Sequence, residues 1–258
     1  MRRSFTDMMG RVVDIPFPPK RIISVVPSQT ELLYDLGLDE EVVGVTKFCV
    51  HPERWFRSKT RIGGTKQLNL DKIRELQPDL IIANKEENTK EQIEALAAEY
   101  PVWISDIHTL DEALRMITGV GEITGKVQAA ENIIAQVQQG FGALSKASQA
   151  RRVAYFIWYR PWMSVGTDTF ISNMIETIGW QNVFADKQRY PEVDLSELVA
   201  ANPELVLLSS EPFPFKEKHI QEIKAVLPDA IVLLVDGELF SWYGSRMLKA
   251  GEYFNELI

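Results

Sequence analysis

Apolar positions along this chain recur in a unit that occurs four times: a short run at helical spacing, a proline, then an unbroken apolar stretch. Leu70, Ile73 and Leu76 are spaced three apart, Pro78 follows, and Leu80-Ile81-Ile82-Ala83 closes the unit. Leu195, Leu198, Pro203 and Leu205-Val206-Leu207-Leu208 repeat that template position for position. Ile93, Leu96 and Pro101, followed by Val102-Trp103-Ile104, make a third copy. Ile220, Ile223 and Pro228, followed by Ile231-Val232-Leu233-Leu234, make the fourth. Proline cannot continue a helix and biases the residue before it to extended geometry, so each one marks where a helix stops and a strand begins. The apolar stretches do not alternate with polar residues, the pattern of parallel strands covered on both faces. Helices alternating with such strands predict α/β architecture.

The units form two pairs, Pro78 with Pro101 and Pro203 with Pro228, and each pair follows a similar opening block. Arg21 to Val26 predicts a strand and Thr30 to Leu36 a helix closed by Gly37. Val153 to Trp158 predicts a strand and Phe170 to Ile178 a helix closed by Gly179. Between the halves, Asp111 to Gly119 predicts a short helix. Val127, Ala130, Ile133, Ile134, Val137, Phe141 and Leu144 then predict one amphipathic helix from Lys126 to about Ala147, about 20 residues or roughly 30 Å long. The expected fold is α/β with two lobes of similar topology, each a parallel sheet flanked by helices, joined by a single long α-helix. The lobes are 1–108 and 151–258, with the helical linker at 109–150. A single doubly wound sheet is the alternative.

Composition narrows the partners. The 258 residues are 45% hydrophobic and 25% charged, with a net charge of -8 and no basic run longer than a pair such as Arg151-Arg152. Phosphate neutralisation needs clustered Lys and Arg, so nucleic acid is excluded as a partner. The single cysteine, Cys49, excludes an internal disulfide. Met1-Arg2-Arg3 has the basic start of an export leader, but Ser4-Phe5-Thr6-Asp7 stands where its apolar stretch belongs. The expectation is a cytoplasmic chain, or a mature form from which a leader has been removed.

Several motifs carry candidate chemistry. Gly121-Glu-Ile-Thr-Gly125-Lys126 has three residues between its glycines where a phosphate-binding loop has four, and Val127 follows the lysine, so nucleotide binding is not expected. Cys49 and His51 sit two apart and could share a metal, or be a packed thiol and a loop residue. No Gly-x-Ser-x-Gly elbow is present. Ser28-Gln-Thr-Glu31 reads as a capping box at a strand end, where α/β sheets place ligands. Phe156-Ile-Trp158-Tyr159-Arg160-Pro161-Trp162 puts more aromatic surface at a strand end than packing requires. It suits a large ring ligand, with Trp158 expected to be the part most given to the core. Phe240-Ser-Trp242-Tyr243-Gly-Ser-Arg246 has the same character. Arg246 could pair with a ligand carboxylate or phosphate, or cap the last helix. Glu86-Glu87-Asn88 puts acid at another strand end, as a helix start or as part of a site.

Together these stretches resemble the substrate-binding proteins of ABC importers for cobalamin, ferric siderophores and haem, whose two lobes are joined by one rigid helix. The resemblance runs through Thr6-Asp7-Met-Met-Gly10-Arg11, Pro18-Pro19-Lys20-Arg21-Ile22, Pro27-Ser28-Gln29-Thr30-Glu31, Gly37, Val43-Gly44-Val45-Thr46, Gly63-Gly64 and Leu76-Gln-Pro78-Asp79-Leu80-Ile81. The first half looks most like the cobalamin branch. What the resemblance implies is a ligand held between the lobes, lined by Ser28, Phe48, Gly64, Thr65, Asn84, Trp158, Trp162, Tyr190, Trp242 and Arg246. The aromatic stretches add Tyr159, Arg160 and Tyr243. Where cobalamin binders place tryptophans, this chain has Thr65 and Asn84, and the second half carries extra aromatics. The resemblance also implies a monomer that docks on a transmembrane permease through one acid per lobe, here Asp71 and Glu197. No catalytic residue, cofactor or resident metal is expected. The alternatives are a cytoplasmic protein that buffers or hands over a corrinoid or metal chelate, and a metal-dependent enzyme using His51, Glu86 and Glu87.

Overall fold

The computed structural model describes residues 1–145 and 150–258. Their packing separates two compact units, each α/β. The first comprises Met1–Ile107, Asp111–Gln139 and Trp242–Leu248; the second comprises His108–Leu110, Gly140–Ser241 and Lys249–Ile258.

The first unit opens on a hairpin of β1 (Arg2–Thr6) and β2 (Val12–Pro16), with Arg2 opposite Pro16. In its turn the Asp7 carboxylate accepts the backbone N–H groups of Met9 and Arg11 and pairs with the Arg11 side chain at 2.7 Å. Then come β3 (Ile22–Ser24), α1 (Pro27–Asp35), β4 (Val42–Val45), α2 (Glu53–Ser58) and β5 (Thr60–Arg61). A small hairpin of β6 (Gly63–Gly64) and β7 (Gln67–Leu68) leads into α3 (Leu70–Leu76), β8 (Leu80–Asn84), α4 (Lys90–Ala97) and β9 (Val102–Ser105). The sheet order is β5-β4-β3-β8-β9, every pair parallel. All five residues of β8 are buried, as expected of a central strand without alternation.

The linker residues form two helices, α5 (Leu110–Thr124) and α6 (Val127–Gly142), where a short helix and a longer one were expected. Gly125, at φ 73°, breaks the chain between them, and the Lys126 N–H turns back to the Gly121 carbonyl at 2.7 Å. The second helix stops at Gly142, and the expected end near Ala147 lies outside the described residues. Residues Asp111–Gln139 group with the first unit. Gly121 of the loop-like motif, and Gly119 two residues before it, serve packing instead. A Cβ on Gly119 would lie 2.8 Å from the Trp103 ring, and one on Gly121 would meet Ala130 at 2.5 Å.

The second unit contains β10 (Arg152–Trp158), β11 (Met163–Ser164), α7 (Phe170–Thr177), β12 (Gln181–Asn182), α8 (Leu195–Ala201), β13 (Leu205–Ser209), α9 (Glu217–Val226), β14 (Ile231–Val235), α10 (Gly237–Ser241) and the greater part of α11 (Met247–Leu257). Its sheet runs β11-β10-β13-β14, with β12 also parallel to β10 and only β11 antiparallel. None of the described helices is long and apolar enough to cross a membrane.

The repeated proline unit has a common local structure. Before Pro78 and Pro203, Gln77 and Asn202 both cap their helices in the left-handed conformation at φ 44°. The acid after each proline pins the opening strand: Asp79 accepts the Arg21 N–H at 2.9 Å, and Glu204 accepts the Arg152 N–H at 2.9 Å. Each of those arginines returns its guanidinium to the last turn of the helix, Arg21 to the Leu76 carbonyl and Arg152 to that of Ala201, both at 2.6 Å. The same four positions therefore tie helix, proline and strand together in both units.

Candidate ligand-binding site

In parallel α/β sheets the loops at the carboxyl ends of the strands collect ligands; of the expected site residues, Ser28, Phe48 and Asn84 lie at the ends of β3, β4 and β8, and Trp158 at that of β10. In the first unit, α1 begins at Pro27 with Val26 as N-cap, and no side chain caps it. The capping box expected from Ser28 and Glu31 is therefore absent. Proline at the first helical position starts the helix two residues early, which puts Ser28 inside the first turn. Glu31 instead accepts from Arg246 Nε at 2.8 Å, with side chains only 12% and 8% exposed. Burial raises the Glu31 carboxyl above its ordinary value, and the Arg246 cation opposes that shift.

Arg246 belongs to Trp242–Leu248, which packs into this unit. Its guanidinium lies 5.2 Å from the centroid of Trp242, whose ring meets His51 edge-on at 5.6 Å. Gly244, at φ 109°, brings the backbone against α1, where a Cβ would stand 3.3 Å from the Ser28 carbonyl. Ser28, Trp242 and Tyr243 are buried. Phe48 is half exposed and lies over Gly64, where a Cβ would stand 3.1 Å from the ring.

Thr65 and Asn84 are also buried, and the amide of Asn84 turns inward. Asn84 Nδ2 donates to the Ser105 carbonyl and hydroxyl at 3.2 and 3.1 Å. Its Oδ1 accepts the N–H groups of Glu86 and Glu87 at 2.8 and 3.0 Å. With two donors and two accepted bonds the amide is saturated, so Asn84 braces the first unit from below its surface. Cys49 is fully buried among Thr30 and Thr46, each 3.1 Å from its sulfur, and burial raises its thiol pKa. Among the described residues, no three His, Cys, Asp or Glu side chains gather to hold a metal ion.

The second unit builds its strand end from rings. Trp162 stacks on Phe215 at 5.6 Å and meets Phe156 and Tyr159 edge-on. Tyr159 also packs on His219 at 4.6 Å and donates its hydroxyl to Glu222 at 2.9 Å. His219 Nδ1 accepts the Lys216 N–H, which assigns its proton to Nε2 when the ring is neutral, and the ring packs against Phe213 and Phe215. The expected division between the tryptophans is reversed. Trp162 joins the core at 8% exposure, whereas Trp158 is 40% exposed and rests on Phe213 at 5.8 Å. The register between β10 and β11 shifts between Phe156 and Trp158, so the strand-end aromatics do not continue a single face. Arg160, at φ 63°, lies over Tyr159, and Arg189 lies over the half-buried Tyr190.

Phe213, Phe215, His219 and Glu222 were not expected in this site. Their signal was Pro212-Phe-Pro214-Phe215 immediately after β13, a second aromatic strand end in the same half. The two expected docking acids differ. Both are paired at 3.0 Å, Asp71 with Arg74 and Glu197 with Lys187, but the Asp71 side chain is 88% exposed whereas Glu197 also closes a capping box with Asp194.

Residues 22–227 match the family model of the periplasmic binding proteins, and the chain belongs to that family. It is a solute-binding protein of the kind that serves ABC importers. Similar proteins include the vitamin B12-binding protein of Pectobacterium carotovorum, 25% identical over 241 residues, spanning 91% of this chain and 86% of that one. The periplasmic haem-binding protein BhuT in complex with two haems has a TM-score of 0.81 at 21% identity, covering 92% of this chain and 97% of its own. A structure from the ABC-type Fe3+-hydroxamate transport system of Saccharomonospora viridis has a TM-score of 0.76 at 20% identity, with 98% of each chain covered.

Proposed function

We propose that the protein captures a cobalamin-like corrinoid or a ferric chelate and delivers it to an ABC permease, acting by binding alone. The observation that carries this reading is the aromatic strand end of the second unit, where Trp158 stands 40% exposed on Phe213, which packs in turn on Tyr159. An exposed indole backed by packed rings gives a broad ligand a flat apolar contact at low entropic cost. The polar residues Ser28, Glu31 and Arg246 in the first unit suit the amide, carboxylate or hydroxamate groups around such a ligand. The names of the similar proteins, for vitamin B12, haem and Fe3+-hydroxamate, support those classes.

The test is a fluorescence titration of the six tryptophans with cyanocobalamin, haemin and a ferric hydroxamate, corrected for inner-filter absorption. Saturable one-to-one quenching by one of them supports the reading and names its class; no saturable response to any of the three overturns it. Permease docking belongs to the same proposal, with Asp71, paired to Arg74, the more exposed acid and Glu197, paired to Lys187, the less exposed one. Uptake that survives the pair Asp71→Lys and Glu197→Lys would remove that part. The protein is proposed to act as a monomer outside the cytoplasmic membrane, which light scattering and cell fractionation examine.

A further inference from the structure

Beneath the ligand-facing loops of the first unit lies a second asparagine that spans what Asn84 does not. Asn88 is 5% exposed. Its Nδ2 donates to the Val25 carbonyl and to the Thr65 carbonyl, both at 3.1 Å, and its Oδ1 accepts the Asn84 N–H at 2.8 Å. Val25 lies just ahead of α1, whose first turn carries Ser28. Thr65 sits in the turn between β6 and β7, beside Gly64 and under the reach of Phe48. Asn84 ties the same group to Ser105 at the end of β9, and Gln29 Nε2 also donates to the Ser105 hydroxyl. One buried amide thus joins the loops that follow β3, β6 and β8.

The chemistry admits few substitutes. Bridging two carbonyl oxygens needs two N–H donors on one short planar group, with an acceptor on its other side for a backbone N–H. Aspartate has the shape but turns an acceptor toward two acceptors. Leucine has the volume but leaves two carbonyls and one N–H buried without partners.

We propose that Asn88 is the positioning residue of the first unit's ligand-facing surface: it holds the start of α1 and the Thr65 turn in register without touching the solute. The inference rests on the solute-binding reading above, and its consequence is a surface set before the solute arrives, so that binding spends little on ordering loops.

The experiment compares Asn88→Ala, Asn88→Asp and Asn88→Ser with the parent protein. Amide hydrogen exchange is followed on segments 24–31 and 62–68, with β13 of the second unit as control. Exchange in both segments is expected to accelerate together, by about tenfold or more, while β13 keeps its protection. The serine variant, with one donor left, should fall between parent and alanine and keeps the comparison open if alanine does not fold. Affinity for whichever of cyanocobalamin, haemin or ferric hydroxamate the parent binds should weaken by about tenfold. Unchanged exchange in either segment overturns the positioning role. So does accelerated exchange with undiminished affinity. A parent protein that binds none of the three probes defeats the ligand class alone, and the exchange data still decide whether Asn88 holds the two loops.

Discussion

The two units share their local wiring as far as the strand ends and differ in what they build there. In both, a left-handed helix cap precedes a proline, an acid follows it, and an arginine from the opening strand closes the set. Beyond the strands, the first unit continues in buried hydrogen bonds among Gln29, Asn84, Asn88 and Ser105. The second continues in packed rings from Phe156 and Tyr159 to Phe213, Phe215 and His219. Hydrogen bonds are directional and penalise a displaced partner, so they fix loop positions. Ring contacts are less directional and tolerate small shifts while supplying apolar area. One unit is suited to setting polar groups at fixed points, the other to offering a surface.

Four experiments would break or sharpen that contrast. The largest effect is expected from Trp162→Ala, which removes a core ring stacked on Phe215 and should destabilise the protein by about 3–5 kcal/mol in chemical denaturation. A loss below about 1 kcal/mol would mean that the rings are surface furniture rather than core.

In the first unit, Glu31→Gln removes the carboxylate that faces the buried Arg246 guanidinium at 2.8 Å and should cost about 3 kcal/mol. The double variant Glu31→Leu, Arg246→Met should regain most of that stability, because breaking a buried pair costs more than replacing it. If the double variant is no better than the single one, the pair carries stability of its own.

Acid should act on the ring-lined unit. Burial, then the Lys218 cation, hold His219 below its ordinary 6.5, and the Glu222 carboxylate pushes the other way. The unfolded chain takes up this proton as pH falls through about 6.5, while the folded chain resists until a lower pH. The stability from His219 is therefore complete above that range and is lost as pH falls through the folded value. Urea midpoints measured from about pH 8 to about pH 5 should decline, and His219→Gln should flatten the decline. An equal slope in that variant assigns the pH response elsewhere.

The smallest effect on stability belongs to Trp158→Ala, within about 0.5 kcal/mol, because the ring is already partly in water. Its effect on probe affinity should be about tenfold, the signature of a residue spent on the ligand rather than the fold.

Much of this fold was legible because proline and glycine punctuate it. Pro78, Pro101, Pro203 and Pro228 each stand between a helix and a strand of the structure, and Gly37 and Gly179 adopt positive φ after α1 and α7. The site was legible only in outline. Residue type marked Trp158 and Trp162 equally, and the register shift at the end of β10 separated them. Asn84 was marked as a lining residue by its place after β8, whereas its bonding capacity is taken up by Ser105, 21 residues onward, and by the backbone that follows it. Ser28 and Glu31 had the spacing of a capping box, yet Glu31 found Arg246, 215 residues away.

By itself, then, the sequence determined the order of helices and strands, the duplication of the helix–proline–strand unit and the family. The first two depend on local backbone preference and on the period of apolar positions, and the family on the resemblance carried by the motifs from Thr6 to Ile81. Only the tertiary structure decided which polar groups are saturated inside the protein, which aromatic ring meets water, and that Trp242–Leu248 packs beside α1. Those outcomes depend on partners distant along the chain, and a side chain's hydrogen-bonding capacity does not reveal in advance where it will be used.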